Sequence, residues 1–452
     1  MFSINNPYNQ TFLSEHQYIS DAAASHIVNE SKKSFLKWRL KSIDERLKLI
    51  KNLIFAFGKN QDLLAKKCAL EMGKPIKEAL AEVKKCILLC EYYMEHAESY
   101  LKNEYKAVDG AQAYIRYDPL GVILGVMPWN FPYWQVFRFA IPAIIAGNTV
   151  VVKHASNVAG CAILIEDMFR EAGFDDGIYT NLLISGKQVK KVIENPDIAA
   201  VSLTGSEKAG ADVAATAAAL IKKSVLELGG SNAFLVLEDA DINKAVATAV
   251  KARFQNTGQS CIAAKRFLVH ESVYDAFLEK FTAKVKQLKS GNPLDKETDI
   301  GPLARIDLAE DIEKQVNDSV AMGARVIVGG NRNDAFYEPT VITEITTDMP
   351  VFKEEVFGPV ATVMPFKTFD EAVELSNGTE FGLGVTIFTN DVSGIQDKLY
   401  LFEEGAVFIN AMVKSDPALP FGGVKKSGYG RELAENGLKE FVNVKTVFIQ
   451  QS

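Results

Sequence analysis

Short apolar strands alternate with helix-like segments through the middle of this chain, and this alternation restricts the fold more than any other feature of the sequence. Residues 149–152, 181–184 and 199–203 are apolar runs of strand length, and helix-like patterns follow the first and the third of them. The later of these patterns runs from Ser206 to about Leu220. Strands that are buried on both faces and separated by helices are typical of a parallel sheet. The sequence therefore predicts the α/β class.

The segments on either side of this region extend the prediction. Residues from about 31 to 102 have apolar side chains at helical spacing. Residues 114–117 and 122–124 are predicted to form the two strands of a hairpin. A second α/β unit is predicted from about 232 to 420. Near the C-terminus, 446–449 resembles a strand that could add to the edge of a sheet, including one in another subunit.

Length, charge and cysteine content exclude several classes of protein. The 452 residues allow two or three domains. A net charge of −7 argues against nucleic-acid binding and against a basic membrane-binding face. Five cysteines without paired spacing fit a reducing, cytoplasmic environment rather than a disulfide framework. Cys86 and Cys90 are interpreted as core residues, since no histidine or cysteine cluster lies beside them in the sequence, and no metal site is expected.

No membrane segment or signal peptide is expected. The N-terminus lacks a basic region followed by an apolar run. The longest uncharged stretch, 119–137, approaches the length of a membrane span. It contains Pro119, Pro128 and Pro132, which break a helix.

Three side chains in separate segments could form one reaction centre. Cys261 lies among small and polar residues, Glu227 ends an apolar run before a double glycine, and Asn130 lies between two prolines. A thiolate can attack a carbonyl, an amide can hold the resulting oxyanion, and a carboxylate can activate water. Taken singly, the three could instead be a buried core cysteine, a capping carboxylate and a turn residue.

A second group of residues indicates a site for a phosphate-bearing ligand. Gly205 and Gly210 enclose a predicted helix start with Ser206 as its N-cap, where free N–H groups could bind a pyrophosphate. Lys153 ends a predicted parallel strand, at the edge where α/β proteins bind ligands. The glycine-rich dinucleotide fingerprint does not occur in this region. A structural glycine turn and a solvated strand end are the alternatives.

Taken together, the motifs of the chain resemble those of the NAD(P)-dependent aldehyde dehydrogenase superfamily. The resemblance extends from about Ile4 to Phe448. The motifs that carry it occur in the family's order: Pro-Trp-Asn-Phe-Pro (128–132), Thr-Gly-Ser (204–206), Glu-Leu-Gly-Gly (227–230), Gly-Gln-Ser-Cys (258–261), Glu-Val-Phe-Gly-Pro (355–359), Pro-Phe-Gly-Gly (420–423) and Ser-Gly-Tyr-Gly-Arg-Glu (427–432).

The resemblance implies a fold of three parts. These are a Rossmann-like cofactor domain (1–110 and 127–228), an α/β catalytic domain (229–433) and a small β oligomerisation domain (111–126 and 434–452). A homodimer or homotetramer is the family's expectation.

The resemblance also assigns roles to individual residues. Cys261 is similar to the nucleophile and Glu227 to the base that hydrolyses the thioester, while the Asn130 amide and the Cys261 N–H match the oxyanion hole. The residues that match the cofactor site are Trp129, Lys153, Ser156, Gly205, Ser206, Leu228, Glu355 and Phe357.

One departure from the family pattern bears on cofactor choice. Members that prefer NAD often have a glutamate three residues after the ribose lysine, where this chain has Ser156. A hydroxyl tolerates the 2′-phosphate and can bond it, and Lys153 supplies positive charge. NADP is therefore the expected preferred cofactor, with NAD as the other.

Three residues point to the aldehyde. Arg138 matches an arginine that binds the distal carboxylate of the substrate in succinate-semialdehyde dehydrogenases, and Ser415 lies in a run that resembles a bacterial branch of that group. Gln255 replaces a second arginine found in some members, which could loosen selectivity. Succinate semialdehyde is the expected substrate. For the substrate, the alternatives are another semialdehyde such as glutarate semialdehyde or a broad range of aldehydes. For the reaction, they are a CoA-acylating activity or a protein that kept the fold and lost its activity. For Arg138, the alternative is an interior structural ion pair.

Overall fold

The computed structural model describes residues 1–450, so Gln451 and Ser452 of the expected C-terminal segment 434–452 lie outside the described residues. The α-helices are α1 Asp21–Trp38, α2 Ile43–Lys59, α3 Gln61–Met72, α4 Ile76–Leu101, α5 Trp134–Ile145, α6 Ala159–Glu171, α7 Val189–Glu194, α8 Glu207–Ala219, α9 Ile242–Phe254, α10 Glu271–Val285, α11 Ile306–Ala321, α12 Pro350–Lys353, α13 Phe369–Asn377, α14 Val392–Gln396 and α15 Ala434–Lys439.

The β-strands complete the list of elements. They are β1 Phe2–Asn5, β2 Phe12–His16, β3 Glu104–Val108, β4 Ala111–Pro119, β5 Val122–Met127, β6 Thr149–His154, β7 Tyr179–Asn181, β8 Ile198–Thr204, β9 Lys223–Glu227, β10 Asn232–Val236, β11 Ala264–His270, β12 Arg325–Val328, β13 Arg332–Asn333, β14 Phe336–Tyr337, β15 Thr340–Thr343, β16 Val360–Phe366, β17 Phe381–Gly382, β18 Val385–Phe388, β19 Val407–Ile409, β20 Val424–Lys425, β21 Gly428–Tyr429 and β22 Val442–Gln450.

Two large, mostly parallel sheets form the centre of the protein. One has the order β21-β9-β8-β5-β6-β7, and the other has the order β12-β15-β16-β11-β10-β18-β19. Only the edge strands β21 and β12 run antiparallel to their neighbours. The side chains of β10 are buried along the whole strand, as expected where helices cover both faces of a parallel sheet. The predicted α/β class is confirmed.

Most predicted elements occur near their expected positions. The helical region is divided into α1 to α4, and α8 begins after Ser206. Cys86 and Cys90 lie in the core of α4, as interpreted from the sequence. The second predicted strand, 181–184, lies too late in the sequence, because β7 spans Tyr179–Asn181 and the Ile184 N–H donates back to the Leu182 carbonyl.

The predicted hairpin of 114–117 and 122–124 is wrong. β4 pairs antiparallel with β3 and β22, whereas β5 lies between β6 and β8 in the six-stranded sheet. The first three residues of β5 are fully buried, which suits a strand covered on both faces rather than half of an exposed hairpin. The true two-residue turn is Asp109-Gly110, where Gly110 has φ +68. The small sheet therefore contains β3, which lies before residue 111, and does not contain β5. The expected bounds 111–126 include β5 and leave out β3.

Helix α5 begins just after the segment that contains Asn130, and it packs into the protein core. All twelve of its residues are buried. Its first turn rests on the Glu82 carboxylate, which accepts hydrogen bonds from the Tyr133 N–H at 2.8 Å and the Trp134 N–H at 3.0 Å. Lys74, also buried, forms an ion pair with Glu82. A carboxylate at a helix N-terminus satisfies free N–H groups and complements the helix dipole.

None of the helices within residues 1–450 combines the length and the apolar character that a membrane-spanning helix needs.

The Lys74–Glu82 pair yields a stability prediction. Lys74→Met leaves the Glu82 charge buried without its partner, and we expect the free energy of unfolding to fall by about 3–5 kcal/mol. The double variant Lys74→Met/Glu82→Gln should recover most of this loss, because the amide oxygen can still accept from the helix without carrying a charge. Urea unfolding followed by circular dichroism measures both. A single variant that loses less than about 1 kcal/mol would contradict this interpretation.

Candidate active site

Cys261 lies at the end of a tightly held loop between α9 and β11. Asn256 and Thr257 have φ values of +56 and +55, and Gly258 has φ +71. A Cβ at Gly258 would lie 2.4 Å from the Gly358 carbonyl oxygen, so only glycine fits there. The loop backbone is buried, while Cys261 itself is partly exposed. This conformation presents a single thiol from an otherwise enclosed turn.

Arg253, at the end of α9, fixes the same loop from inside. Its guanidinium donates hydrogen bonds to the carbonyls of Gly258 at 3.0 Å, Ala264 at 3.1 Å and Val356 at 3.2 Å, and it also donates to Gly358. Buried guanidinium groups are tolerated when acceptors surround them. Arg253 therefore ties the cysteine loop to the segment that follows α12.

Lys265 holds the nucleophile from the other side. It is 1% exposed, and its ammonium donates to the carbonyls of Ser260 at 3.0 Å and Cys261 at 2.9 Å. The same ammonium lies 2.9 Å from the Glu355 carboxylate. Lys265 thus links the backbone of Cys261 to Glu355, which the family resemblance predicts to lie at the cofactor.

The Asn130 amide lies beside the cysteine loop. Its Nδ2 donates to the Gln259 backbone carbonyl at 3.1 Å, and the backbone carbonyl of Asn130 accepts from Asn256 Nδ2 at 2.8 Å. One Nδ2 hydrogen remains for another acceptor. Within residues 1–450 no protein group accepts the Cys261 N–H. An oxyanion formed at Cys261 can therefore receive donors from both groups.

Glu227 is buried at the end of β9, and neither carboxylate oxygen has a hydrogen-bond partner among the described residues. A Cβ at Gly422 would lie 2.8 Å from Glu227 Oε1, so this glycine leaves room for the carboxylate. Burial raises the pKa of Glu227 well above its usual value and the Glu432 charge raises it further, while Arg138 and Arg431 act in the opposite direction. A carboxyl group with a raised pKa suits a general base that works near neutral pH.

Arg138 and Glu432 form a buried ion pair near this base. Arg138 is 2% exposed, and its Nε lies 2.7 Å from Glu432 Oε2. The guanidinium also stacks over the Phe421 ring at 4.4 Å from the centroid. The structural ion pair considered from the sequence is therefore present. The same residue also lines the cavity next to Cys261.

A cavity of about 310 Å³ opens beside the thiol. All three residues predicted to bind substrate line it, together with Cys261: these are Arg138, Gln255 and Ser415. Two aromatic side chains, Phe131 and Trp134, form part of the wall. A cavity of this size, with apolar walls and several polar side chains in its lining, suits a small molecule that carries a polar group.

The predicted nicotinamide contacts lie near one another, and Lys265 connects them to the backbone of Cys261 through Glu355. Glu355 accepts from the Gly230 N–H at 3.0 Å and lies so close to Gly229 that a Cβ there would be 2.5 Å from its Oε2. Trp129 and Phe357 meet edge to face, with ring centroids 5.8 Å apart, and both are partly exposed. The structure thus brings these predicted residues to one cleft.

The predicted pyrophosphate contacts lie at the carboxyl ends of β8 and β9, two interior strands of the six-stranded sheet. Ser206 caps α8, with its Oγ accepting from the Ala209 N–H. The Gly205 N–H donates to the Glu227 carbonyl at 3.0 Å, which ties this turn to the strand of the base. Leu228 is buried under α8, where a Cβ at Gly210 would lie 2.6 Å from its side chain. The Leu228 side chain therefore supports the helix.

Lys153 lies at the end of β6, two positions from β8 in the sheet, and Ser156 follows that strand. Burial lowers the pKa of Lys153, and within residues 1–450 its ammonium forms no ion pair. Ser156 Oγ lies 3.0 Å from the Tyr18 hydroxyl, and the Tyr18 ring stacks on Phe2. Two hydroxyls therefore lie together at Ser156, the position where the family resemblance predicts a contact with the 2′-phosphate.

Sequence reasoning missed several residues of this site. Lys265 could have been noticed, because a charged pair interrupts the apolar run 263–269. Lys85 and Glu82 carry no such signal, since charges at helical spacing usually mark a solvated face. Tyr18 lies 138 residues from Ser156 in the sequence, and only the fold brings the two together.

Comparison with known proteins agrees with this geometry. Residues 1–447 match the aldehyde dehydrogenase family. A probable NADP(+) succinate-semialdehyde dehydrogenase of Synechocystis sp. is 47% identical over 443 residues, with 97% of each chain covered. An NADP(+) succinate-semialdehyde dehydrogenase of Mycolicibacterium paratuberculosis is 51% identical, covering 86% of this chain and 84% of the relative.

A solved structure is similar along the entire chain. The succinic semialdehyde dehydrogenase of Streptococcus pyogenes, determined in complex with NADP+, is 36% identical, with a TM-score of 0.97 and 100% of both chains covered. The family match over nearly the whole length, the identity to these relatives and the shared fold establish that this chain belongs to the aldehyde dehydrogenase family.

Proposed function

We propose that this protein oxidises succinate semialdehyde to succinate through a thioester on Cys261, with NADP as its preferred cofactor and NAD as a second one. The observation that carries the proposal is the cavity beside Cys261, whose lining combines apolar walls with Arg138, Gln255 and Ser415. The relatives named as NADP-dependent succinate-semialdehyde dehydrogenases support the same substrate and cofactor. A short aldehyde with a distal carboxylate matches this arrangement.

The reaction begins with the Cys261 thiolate adding to the aldehyde carbonyl. Burial raises the pKa of the Cys261 thiol to about 11, while the charges of Arg138 and Lys265 favour the thiolate. The carbonyl oxygen becomes an oxyanion, which the Asn130 amide and the Cys261 N–H stabilise. Lys265 and Arg253 hold the loop so that these donors keep their positions.

The residues of the second cleft fit a nicotinamide dinucleotide. Two orphaned hydroxyls, Ser202 and Thr204, lie near the end of β8 just before Ser206. Glu355 would hold the nicotinamide ribose, and Lys153 and Ser156 the phosphorylated adenosine ribose. A bound nicotinamide would supply the hydride acceptor for oxidation of the thiohemiacetal carbon.

Glu227 completes the turnover. It removes a proton from water, the resulting hydroxide attacks the thioester carbonyl, and the carboxylic acid leaves as the Cys261 thiolate is regenerated. Because the carboxylate form is the active base, hydrolysis should accelerate as the pH rises through its raised pKa.

A homo-oligomer built on the small three-stranded sheet is also part of the proposal. Tyr105 on β3 and Val444, Phe448 and Ile449 on β22 are exposed apolar side chains on edge strands. Such side chains favour pairing with another subunit. Sedimentation of the purified protein as a monomer would contradict this part.

The five free cysteines support a reducing, cytoplasmic location.

The substrate assignment is tested by specificity constants with NADP. We expect kcat/KM for succinate semialdehyde to exceed that for butanal by about tenfold or more, because butanal leaves the polar end of the cavity unpaired. Glutarate semialdehyde should fall between the two. Equal values for succinate semialdehyde and butanal would indicate a broad aldehyde dehydrogenase and overturn the assignment.

The role of Glu227 is tested by Glu227→Gln. The variant should release one equivalent of reduced cofactor in a burst and then turn over about 10²- to 10⁴-fold more slowly, since the acyl-enzyme forms but water is not activated. Its remaining hydrolysis rate should lack the rise with pH seen in the wild type. Stopped-flow absorbance measures both, with Cys261→Ala as a control that shows no burst. Wild-type turnover in Glu227→Gln would exclude this base.

Cofactor choice is tested by Ser156→Glu. The new carboxylate should lower kcat/KM for NADP by about tenfold or more through repulsion of the 2′-phosphate, while the value for NAD stays close to that of the wild type. Ser156→Ala is the matched control and should change the NADP value much less. If NAD is already preferred by the wild type, or if both substitutions act alike on NADP, charge repulsion at this position does not set the preference.

A further inference from the structure

Lys85 on α4 is a cation in the substrate cavity that sequence comparison does not assign. Its ammonium lies 2.7 Å from Ser415 Oγ and 4.1 Å from the centroid of the Trp134 ring. Both of these neighbours also line the cavity. Within residues 1–450, Lys85 contacts this hydroxyl and this ring but forms no ion pair.

The hydrogen bonds of Ser415 leave one donor free. Its Oγ accepts from Lys85 Nζ and, at 3.0 Å, from Trp134 Nε1, so both lone pairs of the hydroxyl are occupied. Ser415 is 5% exposed, and no described residue accepts its proton. A buried hydroxyl in this state calls for an acceptor, and the cavity is where one can enter.

Lys85 and Arg138 differ in whether a neighbouring carboxylate balances their charge. The Arg138 charge is offset by Glu432 at 2.7 Å, and the Glu227 carboxyl also lies within its field. The Glu82 carboxylate on the same helix as Lys85 is already paired with Lys74. Among the described residues, two cations of the cavity lining have no ion pair, Lys85 and Lys251. Lys251 is exposed to solvent and Lys85 is partly buried, so an anion inside the cavity is attracted mainly by Lys85.

We propose that Lys85, together with the Ser415 hydroxyl that it orients, binds the distal carboxylate of the semialdehyde. Arg138 then acts mainly by holding Glu432 and the cavity wall next to Glu227. This inference rests on the proposed function, since it assumes a substrate with a carboxylate at the far end from the aldehyde. A charge-assisted pair in a partly buried pocket is strong enough to decide selectivity.

The test compares Lys85→Met, Lys85→Arg and the control Lys84→Met, which removes the exposed neighbouring lysine. With NADP present, Lys85→Met should lower kcat/KM for succinate semialdehyde about 10- to 100-fold, the loss expected for one charged hydrogen bond. The value for butanal should stay within about twofold, because butanal has no carboxylate to bind. Lys85→Arg should restore most of the loss, and Lys84→Met should match the wild type.

The outcomes separate this inference from the proposed function. If the wild type prefers succinate semialdehyde and Lys85→Met keeps that preference, Lys85 is not the anchor, while the substrate assignment stands. If the wild type itself does not discriminate, both proposals fall. A loss of equal size for both aldehydes in Lys85→Met would mean that the residue is structural, which also overturns the inference.

A measurement on the wild type covers the case in which Lys85→Met does not fold. Burial, followed by the Arg138 charge, lowers the pKa of Lys85 to about 8. KM for succinate semialdehyde should therefore rise above about pH 8, while KM for butanal changes little. The other ionisable groups that line the cavity or influence Lys85 are Glu78, Glu82, Cys86, Arg138, Lys251, Cys261, Lys414 and Asp416. A KM ratio that is constant from pH 7 to 9 would overturn the inference.

Discussion

A carboxylate buried under the first turn of α5 holds the reaction centre together. Glu82 accepts two backbone hydrogen bonds from the start of this helix, and Lys74 balances its charge. Helix α5 is buried along its whole length, so it cannot rotate without exposing apolar surface. Asn130 lies just before the helix and Arg138 lies one turn inside it. The oxyanion donor and one wall of the substrate cavity therefore depend on the same buried pair.

Buried cations fix the loop that carries Cys261, as the buried Glu82 carboxylate fixes the start of α5. Arg253 and Lys265 are both buried, and each donates to backbone carbonyls around Cys261 instead of reaching solvent. Such groups are costly to bury and strongly destabilising when their partners are lost, which makes the loop rigid. Lys265 also contacts Glu355, so the cofactor side and the thiol share one fixed scaffold. Preorganisation of this kind lets one exposed thiol meet its donors without rearrangement.

The sequence predicted the class of fold, because short buried strands that alternate with helices are a local pattern. The roles of Cys261, Glu227 and Asn130 stay a prediction from family motifs, which are local patterns too. It failed where pairing between distant segments decides the outcome. The run 122–124 was read as half of a hairpin, yet its complete burial places it in the large sheet. Arg138 was recognised as unusual, but its partner Glu432 lies 294 positions away (432 − 138) and could not be inferred from spacing. Nothing in the sequence distinguishes Lys85 from other lysines at helical spacing, and only the folded cavity shows what it faces.

The most direct test of this account is to identify the acyl group that forms on Cys261 when two aldehydes compete. Glu227→Gln protein would be mixed with NADP and equal amounts of succinate semialdehyde and butanal, quenched within the burst, digested and analysed by mass spectrometry. The account predicts a succinyl group on the peptide that contains Cys261, in clear excess over a butyryl group. Equal labelling by both aldehydes, or acylation of another cysteine, would contradict it.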